Sequence, residues 1–356
     1  MRRASISHFV LATLVAGGLG IVGSATASSA DTTVFAPPYP AASGGAECYP
    51  EGAEGCSTSV TPDAATGDVS PHASVTAPGD GLEEPVWAFA QGSMDVAVAI
   101  DEPAAAVDVR VTVHIHHAEV GHRDGSAVDW SYADLYASLH AVHEACSTCH
   151  PTWRYEEVEF ADGSEFVTVD DEVVVVDARI TNGGEDVPSG SIDIEAALGG
   201  TVFMEPDETG TKISAAEATV TEIAVTPIVV AETRAVAKRY LGLAGDAYYL
   251  GATGPNCTRE GASTGGACFR VAEDDVLVSF SIADDRSATP IGAQWQLLDD
   301  ADEILSSGNF CGASGRAWVP EGATQAVVLT HTVLSPLRCD EPSAATTGTV
   351  TARFFG

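Results

Sequence analysis

Lysine is nearly absent from this chain. Of 356 residues only Lys212 and Lys238 are lysines, and 16 basic side chains stand against 51 acidic ones. A net charge of −35 argues against nucleic acid or anionic lipid as a partner, because affinity for phosphate rests on clustered Lys and Arg. Long apolar runs are missing too. Beyond residue 30 nothing approaches the ~18 apolar residues of a spanning helix, so no membrane insertion is expected. No cysteine follows the N-terminal apolar run, which leaves a lipid anchor without an attachment point. No internal repeat and no complete catalytic constellation are found. Gly261-Ala262-Ser263-Thr264-Gly265 has the letters of a nucleophile elbow but lies in a Gly-rich, cysteine-bounded loop, without the strand and helix that motif needs. Asp284 with Asp285, and Asp299 with Asp300 and Asp302, are acidic enough for calcium but lack the spacing of a dedicated loop.

What is present begins with an address. Arg2 and Arg3, the apolar run Phe9 to Val22 and the small-x-small site Ala25-Thr26-Ala27 read as a secretory signal over residues 1–30. The chain is therefore expected to be secreted, in the extracellular space or the cell envelope. Eight cysteines in an oxidising compartment read as four disulfides. Sequence proximity pairs Cys48–Cys56, Cys146–Cys149, Cys257–Cys268 and Cys311–Cys339. Asn256-Cys257-Thr258 is a glycan sequon if the host glycosylates exported chains.

Eight of the 18 prolines fall in residues 31–85, amid Ala, Gly, Ser and Thr, which reads as a flexible leader with one small disulfide loop. From Val86 the pattern alternates apolar with polar, the period of half-buried strands. Turn clusters such as Thr181-Asn182-Gly183-Gly184 punctuate it. The expected class is all-β. Two antiparallel β-sandwich domains, Ig-like or jelly-roll-like, span 86–225 and 256–356, with a connector over 226–255. One or two short helices are admitted, the first at Ala231 to Leu243. Residues 131–145 fit a strand face and a helical stripe equally well.

Seven of the ten histidines lie between His114 and His150. If 131–145 is a strand, His114 and His116 share the solvent face of Val107–His117, and His140 stands on the outer face of the next strand. Three neutral imidazoles plus water is a catalytic zinc arrangement. Val113-His114-Ile115-His116-His117 followed by Leu139-His140-Ala141-Val142-His143 resembles the two zinc-ligand strands of α-carbonic anhydrases. The resemblance covers about thirty residues and departs at His117-Ala118 and Ser138. It implies His114, His116 and His140 as ligands of a zinc-bound hydroxide. Read from the residues alone, a metal site on the strand reading uses the same three, with His143 or His117 as substitutes, and imidazole donors suit zinc or copper. If 131–145 is a helix, His140 and His143 pair at i, i+3. Cys146-Ser147-Thr148-Cys149-His150 resembles the haem-attachment motif of c-type cytochromes, which would make Cys146 and Cys149 thioether donors and His150 an axial ligand.

Against these stands the reading in which the histidines are surface residues and the cysteines a staple. The leading expectation is an exported, acidic, disulfide-stapled binding, surface or matrix module without catalysis. Its partners would be cations, cell-wall material or other extracellular polymers. A metal protein using zinc or copper, with a hydrolytic or hydratase-type activity, is the alternative, and a haem electron carrier follows it.

Overall fold

The computed structural model describes residues 31–77, 81–128, 130–149, 151–182, 185–241, 267–284, 291–311, 314–333, 342–344 and 347–356. Everything regular among them is strand. In chain order these are β1 (Thr33–Phe35), β2 (Ala41–Tyr49), β3 (Cys56–Asp63), β4 (Asp68–Ala77), β5 (Val86–Ile100), β6 (Ala106–Arg123), β7 (Tyr132–His143), β8 (Thr152–Asp162), β9 (Phe166–Ile180), β10 (Gly190–Met204) and β11 (Gly210–Ile228). There follow β12 (Glu232–Leu241), β13 (Ala267–Arg270), β14 (Leu277–Asp284), β15 (Ile291–Leu298), β16 (Ile304–Cys311), β17 (Ser314–Trp318), β18 (Gln325–Val333), β19 (Pro342–Ala344) and β20 (Thr347–Phe355). Four antiparallel sheets form two β-sandwiches. The first packs β3-β4-β11-β6-β9, with β1 also on β11, against β2-β5-β10-β7-β8. The second contains β12-β20-β14-β17 and β13-β18-β15-β16, with β19 on β18.

Period-two patterning drives both. In β6 the residues Val107, Val109, Val111, Val113 and Ile115 are all buried, and each side chain removed from water contributes ~1.5–3 kcal/mol. They meet Val96, Leu135, Leu139, Ile194 and Leu198 of the facing sheet in one continuous core. The second sandwich has its own core around Phe269, Phe280, Leu297 and Phe354. At one end of the first sandwich a polar plug replaces apolar packing. Lys212, Glu208 and Ser131 have no exposed surface. The Lys212 ammonium donates to the Ser131 hydroxyl and to Gly163 O at 3.2 Å. Ser131 donates to Glu208, which also accepts from the backbone N–H groups of Val128 and Glu205, each at 2.9 Å. Burial lowers the Lys212 pKa against the opposing pull of Glu208.

Three expectations are corrected. Residues 31–85 are not a flexible leader: they supply β1 to β4, which complete both sheets of the first sandwich. Their alternation was hidden because the inward residues are small or are prolines; Val69, Ala73, Val75 and Ala77 are buried, and Pro71 sits where pairing of β4 to β11 breaks off between His72 and Asp68. A proline is tolerated at such a gap because no ladder N–H is needed there. Where a helix was expected at 231–243, Glu232–Leu241 is the strand β12, paired to β20; cross-strand hydrogen bonding overrides the helix preference of Ala, Arg and Lys. The connector over 226–255 is correspondingly divided, since β11 runs to Ile228 and β12 starts at Glu232. Residues 131–145 resolve as strand β7, with Ala133, Leu135, Ala137, Leu139 and Ala141 fully buried.

Two disulfides are described in full. Cys48–Cys56 joins β2 to β3, the edge strands of the two facing sheets, and Cys146–Cys149 closes the turn after β7. Cys268 is disulfide-bonded as well. Its expected partner Cys257, together with Cys339, His150, the signal segment and the Gly261–Gly265 loop, lies outside the described residues.

Candidate binding face

The histidine cluster divides between two opposite surfaces. In β6 the buried positions from Val107 to Ile115 are the odd ones, and beyond them Ala118, Val120, Gly121 and His122 are buried. The phase changes because His117 pairs with Glu217 and Ile115 with Ala218, leaving His116 as an extra residue. A bulge of this kind re-aims side chains, and His114, His116 and His117 all point outward. The His114 and His116 rings meet edge to face at 4.5 Å. His114 Nε2 lies 2.8 Å from Asp171 Oδ1, His116 Nε2 2.9 Å from Thr219 Oγ1, and His117 Nδ1 2.6 Å from Asp170 Oδ1. The Asp170 carboxylate holds the His117 pKa above its ordinary value.

His140 is elsewhere. β6 and β7 follow each other in the chain but belong to different sheets, so His140 projects from the far side of the sandwich, against the Trp153 ring at 5.3 Å. The expected set of His114, His116 and His140 therefore does not converge, and the ligand set implied by the carbonic anhydrase resemblance is not assembled. His143 is buried, its Nε2 2.8 Å from Pro188 O, and serves packing at the start of β10. Among the described residues no group of three or more His, Cys, Asp and Glu has a geometry that could hold an ion. Cys146 and Cys149 are bonded to each other, which leaves neither sulfur free for a thioether to haem.

The other outer surface, that of β2-β5-β10-β7-β8, carries a constellation of a different kind. Tyr49 pairs with Trp87, Trp87 with Phe203 and Phe203 with Tyr132, so four adjacent strands each place one aromatic at the same register. Trp87, Phe203 and Tyr132 point outward, because their neighbours Val86, Ala88, Val202, Met204 and Ala133 are buried, and the exposed Tyr49 stands beside Trp87 on the same face. The fifth strand, β8, adds Phe160, whose ring lies 5.5 Å from Tyr132 with planes 24° apart; Phe203 lies 5.9 Å from Tyr132. Tyr49 is 73% exposed, Trp87 50% and Phe160 41%. Soluble proteins seldom leave large aromatics contiguous and open without a use for them.

Polar groups line the next positions along the same strands. Glu47, Phe89, Thr201 and Asp134 share one register row, and Gly45, Gln91, Gly199 and Tyr136 the next. Gln91 Nε2 donates to Glu195 at 3.2 Å. The Tyr136 ring lies across Gly199, where a Cβ would come within 2.5 Å of it and displace the ring. Asp134 is the unusual member. Its Oδ1 is buried without a hydrogen-bond partner, and burial, reinforced by Glu157, pushes its pKa up from 3.8 to about 6. No helix of the described residues is long and apolar enough to cross a membrane.

The aromatic row was not identified from the sequence. Its signal was there, as outward aromatics in period-two strands (Trp87 between Val86 and Ala88, Phe203 between Val202 and Met204), but alignment into one row depends on the register of strands far apart in the chain.

The chain matches no protein-family model and no curated protein. Among solved structures it is similar to the CBM22-1–CBM22-2 tandem domain of Paenibacillus barcinonensis Xyn10C, at 12% identity over 93% of this chain and 97% of that one, with a TM-score of 0.19. It is similar to the PBSX exported protein XepA, at 7% identity over 73% of this chain and 81% of that one, with a TM-score of 0.19. A triple jelly-roll protein from the turret of an archaeal virus shares 6% identity over 85% of this chain and 89% of its own, with a TM-score of 0.17. Likenesses of this size add nothing to the chemistry of either face.

Proposed function

We propose that this protein is an exported, non-catalytic binding module that takes an extracellular polymer on the outer face of the β2-β5-β10-β7-β8 sheet. The observation that carries the reading is the in-register row Tyr49, Trp87, Phe203 and Tyr132, continued by Phe160. Rigid aromatics supply large contact area at small entropic cost, which is why Trp and Tyr dominate binding hot spots. The row crosses the sheet from the edge strand β2 to the edge strand β8. A surface of that shape suits an extended partner better than a compact ligand. The histidines of the opposite face, each already engaged by Asp171, Thr219 or Asp170, play no part.

Co-sedimentation with insoluble cell-wall and matrix polymers tests the proposal. The wild-type chain pellets with at least one of them, and a Tyr49→Ala/Trp87→Ala variant stays in solution. A His114→Ala/His116→Ala control pellets as the wild type does. Equal sedimentation of wild type and the aromatic variant would overturn the reading.

A further inference from the structure

We infer that the polymer is an uncharged polysaccharide, lying across the strands with its sugar rings on the aromatic row and a hydroxyl donating to Asp134. This rests on the binding-face reading above and narrows it to one chemical class.

Three observations converge on that class. The first is the arrangement of the aromatics. Strands are ~4.8 Å apart, and at the β10-β7-β8 end of the row the Phe203–Tyr132 and Tyr132–Phe160 ring centroids lie 5.9 and 5.5 Å apart, a spacing comparable to the length of one pyranose residue. Successive sugars of a chain crossing the strands would meet successive rings. The C–H faces of pyranoses pack on aromatic faces, whereas a peptide strand seeks the hydrogen-bonding edge of a sheet and not its face.

The second is the polarity of the neighbouring groups. Glu47, Thr201, Asp134, Gln91 and Tyr136 lie within two register rows of the aromatics. Glu47 and Asp134 accept, Thr201, Gln91 and Tyr136 both accept and donate, and the hydroxyls of a sugar can answer both. Asp134 Oδ1 is already withdrawn from solvent and has no donor. The half-buried carboxylate therefore keeps acceptor capacity that no group of the protein uses, and a ligand hydroxyl donating to it takes up that capacity.

The third is charge. Glu47, Asp134, Glu157 and Asp162 all belong to this face, in a chain of net charge −35. Polyuronates, nucleic acids and a second copy of this chain would each bring like charge onto it. A neutral glycan meets no such penalty.

Affinity electrophoresis of the folded chain at ~0.15 M salt, where surface electrostatics are largely screened, provides the test. The probes are a soluble β-glucan, a xylan and a galactomannan as neutral arms, chitosan as a cationic arm and polygalacturonate as an anionic arm. At least one neutral polymer retards the wild type. Tyr49→Ala/Trp87→Ala lowers that affinity about tenfold or more, and Asp134→Ala lowers it several-fold, while polygalacturonate has no effect. Retention of the wild-type melting temperature shows that the exposed aromatic substitutions leave the fold intact. Retardation by chitosan alone, by polygalacturonate as strongly as by the neutral arms, or by nothing at all overturns the inference. If every neutral arm fails while co-sedimentation still depends on Tyr49 and Trp87, the polysaccharide is wrong and the face stands. If a neutral arm binds wild type and aromatic variant alike, the face itself is wrong.

Discussion

Replacing Asp134 with asparagine should stabilise the protein at neutral pH and flatten its stability profile between pH 4 and 6. The Asp134 carboxyl is driven from 3.8 to about 6, first by burial and then by Glu157. A folded-state pKa raised above the unfolded value means that the folded chain binds more protons between those two values, so stability falls as pH rises through the window. Below pH ~4 the group is neutral in both states and carries no penalty. Above pH ~7 it is ionised in both and the penalty is nearly complete. Two pH units correspond to about 3 kcal/mol, but the group is only half buried, and solvent screening reduces the expected value to about 1–2 kcal/mol. Asparagine keeps the shape and loses the charge. Urea denaturation at intervals from pH 4 to 8 checks this: the variant gains about 1–2 kcal/mol over wild type by pH 7 and equals it near pH 4. Parallel profiles for the two proteins would refute the burial argument.

Lys212→Met leaves Glu208 buried without its cation and should cost ~3–5 kcal/mol in urea unfolding, since both side chains have no exposed surface; a cost below 1 kcal/mol would show that water enters the plug. Leu139→Ala removes a fully buried side chain between the sheets and should lower stability by ~2–5 kcal/mol with a matching fall in melting temperature. Cys48→Ser/Cys56→Ser opens a loop of sequence separation 8 and should cost about 2.5 kcal/mol by chain entropy, read from the same denaturation curves. In zinc or copper titrations followed by calorimetry, His140→Ala should leave uptake unchanged, because His140 projects from the sheet opposite His114 and His116; a loss of uptake in His140→Ala would contradict the topology.

Much of the β architecture was legible in the sequence because strands buried on one face announce themselves. Val107 to Ile115 in β6 and the alternating residues of β10 are apolar on the inside and mostly polar on the outside, whereas β7, with Ala133, Ala137 and Ala141 inside, fitted a helical stripe as well as a strand. β2 to β4 were read as a leader because their less exposed residues are mainly Ala, Val, Pro, Cys and Thr, with too little apolar bulk to mark a face. The histidine cluster was visible but its geometry was not. Closeness in sequence made β6 and β7 look like partners, yet each pairs instead with a strand distant in the chain, β6 with β11 and β9, and β7 with β10 and β8. For the same reason the aromatic row was invisible: Tyr49, Trp87, Tyr132 and Phe203 are scattered over 155 residues and meet only through register.

Hydroxyl-radical footprinting of the chain with and without a saturating neutral polysaccharide tests the central claim most directly, since it reports on both outer faces in one experiment. Protection should concentrate on Tyr49, Trp87, Phe160, Phe203 and Tyr132, with His114, His116 and His117 labelled equally in both states. Protection that falls on the three histidines and leaves Trp87 and Tyr49 unchanged would contradict the account.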